Sequence, residues 1–158
     1  MGCFPGQMGL VSGQEARLEI DSGAVFALPL KSFVLTSGYG PRTHPVTGEH
    51  GQFHYGIDLM AFYEPVYSVL EGKVLNVGSG LVTGNFVRIK SGAFLLTYGH
   101  LSLALVTPGQ QVYVGEGVAV SGESGRVTGP HLHFGVKYLN QSINPLSFLS
   151  ELNNNLKH

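Results

Sequence analysis

The sequence predicts a mainly β protein, an antiparallel β-sandwich or barrel-like fold that ends in one short helix. Short apolar runs alternate with glycine-containing turns about every ten residues, a spacing typical of sandwiches and barrels. The 158-residue chain contains 23 glycines and only 12% charged residues, which favours strands and tight turns over surface helices. These observations predict a single domain over residues 16–158, after a flexible lead-in over residues 1–15.

The predicted strands follow one another from residue 65 to residue 139. They lie in runs rich in β-branched and aromatic residues, and the first two runs are each divided into two strands by a turn, at Glu71-Gly72 and at Ser91-Gly92. The runs cover residues 65–78, 84–106, 109–122 and 131–139.

The end of the chain has the spacing of a helix. Asn144 is suited to cap its start, and Pro145 suits the first helical position. Leu149, Leu152 and Leu156 recur at intervals of three and four residues and therefore share one side. This helix is predicted to contribute packing and no chemistry.

Composition excludes several classes of function. The net charge of −1 gives no broad basic surface for nucleic acid, and no apolar run approaches the roughly 18 residues that a membrane span needs. Cys3 is the single cysteine, so no internal disulfide is expected. The first residues lack the basic and apolar regions of a signal peptide, which leaves a cytoplasmic protein or an exported one whose leader is missing.

The most informative stretch is "GPHLHFGVKY", residues 129–138. On a strand, side chains alternate between the two faces, so His131 and His133 are predicted to project together. Leu132 and Phe134 then face the opposite, apolar layer. Another histidine, His100, stands in "LTYGHLS", within an apolar strand pattern that gives it no evident structural purpose.

A second cluster lies in "FHYGIDLMA", residues 53–61. His54 and Asp58 are four positions apart and fall on one face at either strand or helix period, and Gly56 leaves that face uncrowded. Imidazole and carboxylate are expected ligands for zinc, and a catalytic zinc site usually takes three protein ligands and one water. One of the histidines of "HLH" is the candidate for the third ligand.

Each of these patterns also has an ordinary explanation when it is taken alone. His54 and Asp58 fit a hydrogen-bonded surface pair, and His100 fits a partly buried histidine with a satisfied partner. The combination of three ligands and two further bases, all on β-like segments in a chain poor in charge, favours a metal site instead.

Three segments together resemble the M23 zinc peptidases, the lysostaphin and LytM-like peptidoglycan endopeptidases. They are the run from Thr36 to Val74 that contains "HYGID", the segment "TYGHLS", and "SGESGRVTGPHLHFGVKY". The resemblance extends from about Leu35 to Pro145, with the motifs in the family's order and spacing. It implies a lysostaphin-like β fold of the duplicated-hybrid-motif type.

The resemblance also implies a role for each histidine of the motifs. His54, Asp58 and His133 match the family's three zinc ligands, with one Zn2+ per chain, and His131 and His100 match its two catalytic histidines. None of these five positions departs from the family pattern. His44 and His50 are not expected to bind metal, and Arg42 is expected to be solvated.

The implied function is hydrolysis of peptide cross-links in bacterial peptidoglycan by a zinc-dependent endopeptidase of the cell envelope, periplasmic or extracellular. The setting, whether division, a phage tail or a conjugation apparatus, stays open, and so does the bond that is cut. The sequence also leaves open which of His100 and His131 is the general base.

Two other functions compete with hydrolysis. One is a catalytically silent wall-binding or amidase-activating module on the same fold, which the intact ligand set disfavours. The other is a phosphohistidine carrier, which would leave Asp58 and a third histidine without a purpose.

Overall fold

The structure, a computed structural model, describes residues 7–9, 17–19, 25–42, 48 and 51–156. Within them the chain forms twelve strands and one helix. The strands are β1 (Gln7–Gly9), β2 (Arg17–Glu19), β3 (Leu35–Ser37), β4 (Ile57–Met60), β5 (Pro65–Tyr67), β6 (Gly72–Gly80), β7 (Gly84–Ser91), β8 (Phe94–Ala104), β9 (Gln111–Val112), β10 (Gly117–Ser121), β11 (His131–Tyr138) and β12 (Gln141–Ile143), and the helix is α1 (Pro145–Leu156).

Ten of these strands form one antiparallel sheet. Its main path runs β3-β4-β11-β8-β7-β6-β9, while β10 pairs with β5 and β8, and β12 pairs with β11. Among the described residues the path is open, ending at β3 and at β9, so the strands do not close into a barrel. The predicted mainly β antiparallel fold with a short C-terminal helix is confirmed.

A separate two-stranded sheet joins β1 and β2. Most of the predicted lead-in, including Cys3, lies outside the described residues. The division into a lead-in and a single domain therefore stays a prediction.

Alternation along the central strands separates a packed face from a polar one. On β11, Leu132, Phe134 and Tyr138 are fully buried, whereas Lys137 is exposed. Neighbouring β8 buries Phe94, Leu96 and Tyr98 in the same core. Strands with period-2 burial of this kind are fixed in register, because a slip by one residue would turn their apolar side chains toward water.

The C-terminal helix covers one end of this core, as predicted. The Asn144 side-chain oxygen accepts a hydrogen bond from the backbone N–H of Leu146 at 3.0 Å, which caps the helix. Phe148 and Leu152 are fully buried, and the Phe148 ring lies 5.0 Å from that of Phe94.

Among the described residues, no helix combines the length and the apolarity that crossing a bilayer requires.

Candidate functional site

Two histidines of β11 project from the same face of the sheet. His131 and His133 are each about one-fifth exposed at the side chain, 19%, while Leu132 between them is fully buried on the other face. The alternation predicted for "HLH" is therefore present. The two imidazoles stand side by side at the edge of the polar face.

Strand pairing brings a carboxylate to one of them. In the antiparallel register of β4 with β11, Asp58 lies directly opposite His133. The Asp58 Oδ1 atom is 3.2 Å from His133 Nδ1, although the two residues are 75 positions apart in the chain. His54, just before β4, enters the same place through an isolated bridge to Gly40.

Three potential ligand atoms converge at this point. His54 Nε2 lies 3.2 Å from Asp58 Oδ1 and 3.3 Å from His133 Nδ1. Two ligands bonded tetrahedrally to one Zn2+ at 2.0–2.1 Å would be about 3.3 Å apart, so the triangle has the size that the metal requires. His54, Asp58 and His133 are thus a group that could hold a metal ion.

Backbone contacts fix the orientation of His54. Its Nδ1 atom donates to the Gly38 carbonyl at 2.8 Å, and a carbonyl can only accept. Nδ1 therefore carries a proton, so Nε2 is the atom of His54 that could offer a lone pair to a metal ion. The backbone of His54 is itself held by two hydrogen bonds with Gly40, at 2.8 and 3.0 Å.

Gly56 makes room for the His133 ring. A Cβ atom at position 56 would lie 2.6 Å from His133 Cε1 and 2.7 Å from the Phe134 carbonyl oxygen, closer than real Cβ contacts allow. Because the second of these atoms belongs to the backbone, a side-chain movement alone could not relieve the clash. Gly56 is therefore needed where β4 and β11 meet.

The Asp58 carboxylate is ionised and fully engaged. Burial raises its pKa, but hydrogen bonds with His133 and His54 and the charges of His54 and His131 outweigh burial and hold the pKa well below its usual range. Oδ1 faces the histidines, and Oδ2 accepts a hydrogen bond from Arg42 at 3.3 Å.

The contact of Arg42 with Asp58 is one that the sequence did not predict. Arg42 was expected to be solvated, and its side chain is 48% exposed, but its Nη2 atom also donates to Ser37 Oγ at 2.7 Å while it contacts Asp58. The contact depends on the pairing of β3 with β4, which no local sequence signal reveals. A partner of this kind orients a carboxylate without occupying the oxygen that faces the histidines.

A second pair of imidazoles lies beside the cluster. The rings of His100 and His131 are 4.7 Å apart, and His131 Nε2 is 3.6 Å from Asp58 Oδ1. His100 Nδ1 donates to the Ser124 carbonyl at 2.8 Å, and His131 Nδ1 to the Gly129 carbonyl at 3.0 Å. Nε2 is therefore the ring nitrogen that each of the two histidines has available for proton transfer.

The backbone of His100 is held in an unusual conformation. Its φ is 57°, in the left-handed region that few non-glycine residues adopt, and its N–H donates to the Thr83 carbonyl at 2.8 Å. The side chain is 8% exposed, and this burial lowers its pKa although the Ser124 carbonyl acts in the opposite direction. A lowered pKa keeps His100 neutral at neutral pH, as a proton acceptor must be.

The structure thus brings together all five residues that the sequence singled out, His54, Asp58, His100, His131 and His133. His44 and His50 lie outside the described residues, so their expected lack of a metal contact stays a prediction.

Comparison with known proteins points to one family. The sequence model of Peptidase family M23 matches residues 52–145, more than half of the chain. The peptidoglycan DD-endopeptidase ShyB of Vibrio cholerae is 41% identical over 115 residues, which cover 71% of this chain and 27% of that protein. The chain spans less than a third of the length of the curated relatives that it matches.

Solved structures give the same result. A zinc containing peptidase from Vibrio cholerae aligns with a TM-score of 0.71 at 35% identity, covering 84% of this chain and 44% of that one. The catalytic domain of lysostaphin from Staphylococcus simulans aligns with a TM-score of 0.66 at 30% identity, covering 75% of this chain and 92% of that one. The M23 assignment and the His-Asp-His group together indicate a metal site.

The close approach at Gly56 yields a first prediction. Gly56→Ala is expected to displace the His133 ring, lowering the affinity for Zn2+ by about tenfold or more and the free energy of unfolding by about 1–3 kcal/mol. Competition with a chromophoric chelator and thermal unfolding measure the two effects. Gly117→Ala is the matched control, because its Cβ would meet nothing within 4 Å. Equal zinc affinity in the two variants would contradict the steric argument.

The Arg42 contact yields a second prediction. Arg42→Ala removes the partner of Asp58 Oδ2 and is expected to weaken Zn2+ binding by about 10–100-fold. Arg42→Lys should recover part of the loss, since it keeps the charge but not the planar fork. Arg126→Ala removes an exposed arginine that has no contact with Asp58 among the described residues, and serves as the control. Unchanged zinc affinity in Arg42→Ala would show that Asp58 needs no such support.

Proposed function

Since this chain belongs to Peptidase family M23, we propose that it is a zinc-dependent endopeptidase that hydrolyses peptide cross-links of bacterial peptidoglycan. The observation that carries the proposal is the triangle of His54, Asp58 and His133 ligand atoms, 3.2–3.3 Å apart, beside a second pair of histidines. The substrate is proposed from relatives named peptidoglycan DD-endopeptidase and lysostaphin. Action on this polymer places the protein in the cell envelope, periplasmic or extracellular.

In this proposal His54 Nε2, Asp58 Oδ1 and His133 Nδ1 would hold one Zn2+. The donor set fits zinc, because two imidazoles and one carboxylate match the protein ligands of catalytic zinc sites. Zinc, when bound, lowers the pKa of a coordinated water toward about 7 and polarises the substrate carbonyl.

His100 and His131 are the proposed proton-transfer groups of the reaction. Their Nδ1 atoms are committed to backbone carbonyls, so each ring exchanges protons at Nε2. One imidazole accepts the proton of the attacking water, and the other donates to the developing oxyanion or to the leaving amine.

The complete set of ligands and bases favours the enzyme over a catalytically silent module on the same fold. A silent module would not need a histidine at position 100, where the backbone has a left-handed φ that few non-glycine residues adopt. A phosphohistidine carrier is disfavoured as well, because its chemistry gives no role to the Asp58 carboxylate between two imidazoles.

Digestion of a natural substrate tests the activity. Purified cross-linked muropeptides incubated with the zinc-loaded protein are expected to yield uncrosslinked products, whose masses identify the bond that is cut. A chelator should abolish cleavage and added Zn2+ should restore it, with mass spectrometry as the readout. Cleavage that survives the chelator would rule out the metal mechanism, and no cleavage by zinc-loaded protein would rule out this substrate.

Substitution separates ligands from bases. His54→Ala and Asp58→Ala should lose zinc, whereas His131→Ala should retain it and lose about 10²–10⁴-fold in turnover. Zinc content by elemental analysis and cleavage rate by chromatography measure the two properties. If His131→Ala emptied the site while His133→Ala left it full, the roles within "HLH" would be reversed.

A further inference from the structure

A cleft opens on the polar face of the sheet next to the proposed metal ligands. It has a volume of about 440 Å³ and reaches His133 at one end. Its walls and floor come mainly from β7, β8, β11 and the turn after β11. A substrate whose scissile bond lies at the histidines would therefore extend into this space.

Small residues form part of the floor of the cleft. Across three neighbouring strands, Arg88 of β7 is paired with Thr97 of β8, and Thr97 is paired with Gly135 of β11. Gly135 has no side chain, and the side chain of Thr97 ends at its γ atoms. Longer side chains that flank this floor therefore form the sides of the cleft.

Two of these flanking side chains are cations. Lys137 is exposed and lies four residues after His133 on the same face of β11, about 13 Å along the strand. Arg88 is half-buried on the other side of the floor, with its guanidinium carbon 4.3 Å from the centroid of the Phe86 ring. Stacking on an aromatic ring limits the positions of the guanidinium and leaves its N–H groups directed outward.

No acid balances these charges. The residues that line the cleft include no Asp or Glu, and among the residues that the structure describes neither Arg88 nor Lys137 is paired with a carboxylate. Neutral hydrogen-bonding groups complete the lining, namely the side chains of Tyr55, Thr83, Thr97, Asn140 and Ser142. Two unpaired cations among neutral donors form a site for an anion with planar oxygens.

We propose that Arg88 and Lys137 bind a free carboxylate of the cross-link peptide and make this cleft selective for anionic cross-links over uncharged ones such as glycine bridges. The inference rests on the proposed function, which places the peptide in the cleft. At about 3.3 Å per residue of extended chain, the distance from His133 to Lys137 corresponds to about four substrate residues or fewer. The carboxylate is the α-carboxylate at the end of the stem peptide or the side-chain carboxylate of a diamino acid.

Binding of a defined peptide tests the proposal separately from catalysis. The probe is a synthetic cross-linked peptide with both carboxylates free, compared with two analogues in which one or the other is amidated. Each is titrated calorimetrically into zinc-loaded His131→Ala protein, in which the peptide should survive. We expect amidation of the recognised carboxylate to weaken binding by about tenfold or more, and the other amidation to change it by less than about twofold.

Charge removal from the protein completes the test. In the same background, Arg88→Gln and Lys137→Gln should each weaken binding of the free-carboxylate peptide by about tenfold, and neither should affect the peptide that lacks the recognised carboxylate. Lys31→Gln removes one exposed positive charge outside the cleft and should leave both peptides unaffected. Wild-type cleavage of the same peptides is assayed in parallel.

The outcomes separate two failures. Carboxylate-dependent binding without any cleavage would overturn the proposed peptidase and keep the binding site. Cleavage with equal binding of all three peptides, or with Arg88→Gln and Lys137→Gln no different from Lys31→Gln, would overturn the carboxylate site and keep the peptidase.

Discussion

The antiparallel pairing of β4 with β11 is the constraint on which the site depends. It places Asp58 opposite His133 and so brings together two residues 75 positions apart, and the carboxylate also contacts His54 and His131. The register is held by the opposite face, where Ile57 and Leu59 of β4 are fully buried. A slip by one residue would carry the carboxylate into the apolar core and expose those side chains, so the packing of the core and the geometry of the site are fixed together.

Backbone carbonyls select the neutral tautomer of three of the four histidines at the site. Those of Gly38, Ser124 and Gly129 each accept from an Nδ1 atom, and each thereby frees an Nε2 atom to face the cluster. His133 differs, since it presents Nδ1 instead. Because these acceptors are backbone atoms, the choice of tautomer follows from the path of the chain.

Much of the site could be predicted from short-range sequence patterns, and the remainder depends on contacts that such patterns do not contain. The alternation of "HLH", the spacing of His54 from Asp58 and the role of Gly56 follow from the geometry of a single strand. The Arg42 contact with Asp58 and the presence of Arg88 and Lys137 in one cleft depend on how separate strands align. Alignment is set by the packing of the whole core, so a local pattern cannot reveal it.

The backbone at His100 bears on how such a protein changes over time. A φ of 57° is costly for most side chains, but asparagine and glycine adopt it more readily than histidine does. Folding alone would therefore favour replacing the imidazole at this position. Such a replacement would remove one of the two proposed proton-transfer groups while leaving the fold and the group formed by His54, Asp58 and His133 in place, a short route from the proposed hydrolase to a folded, inactive relative.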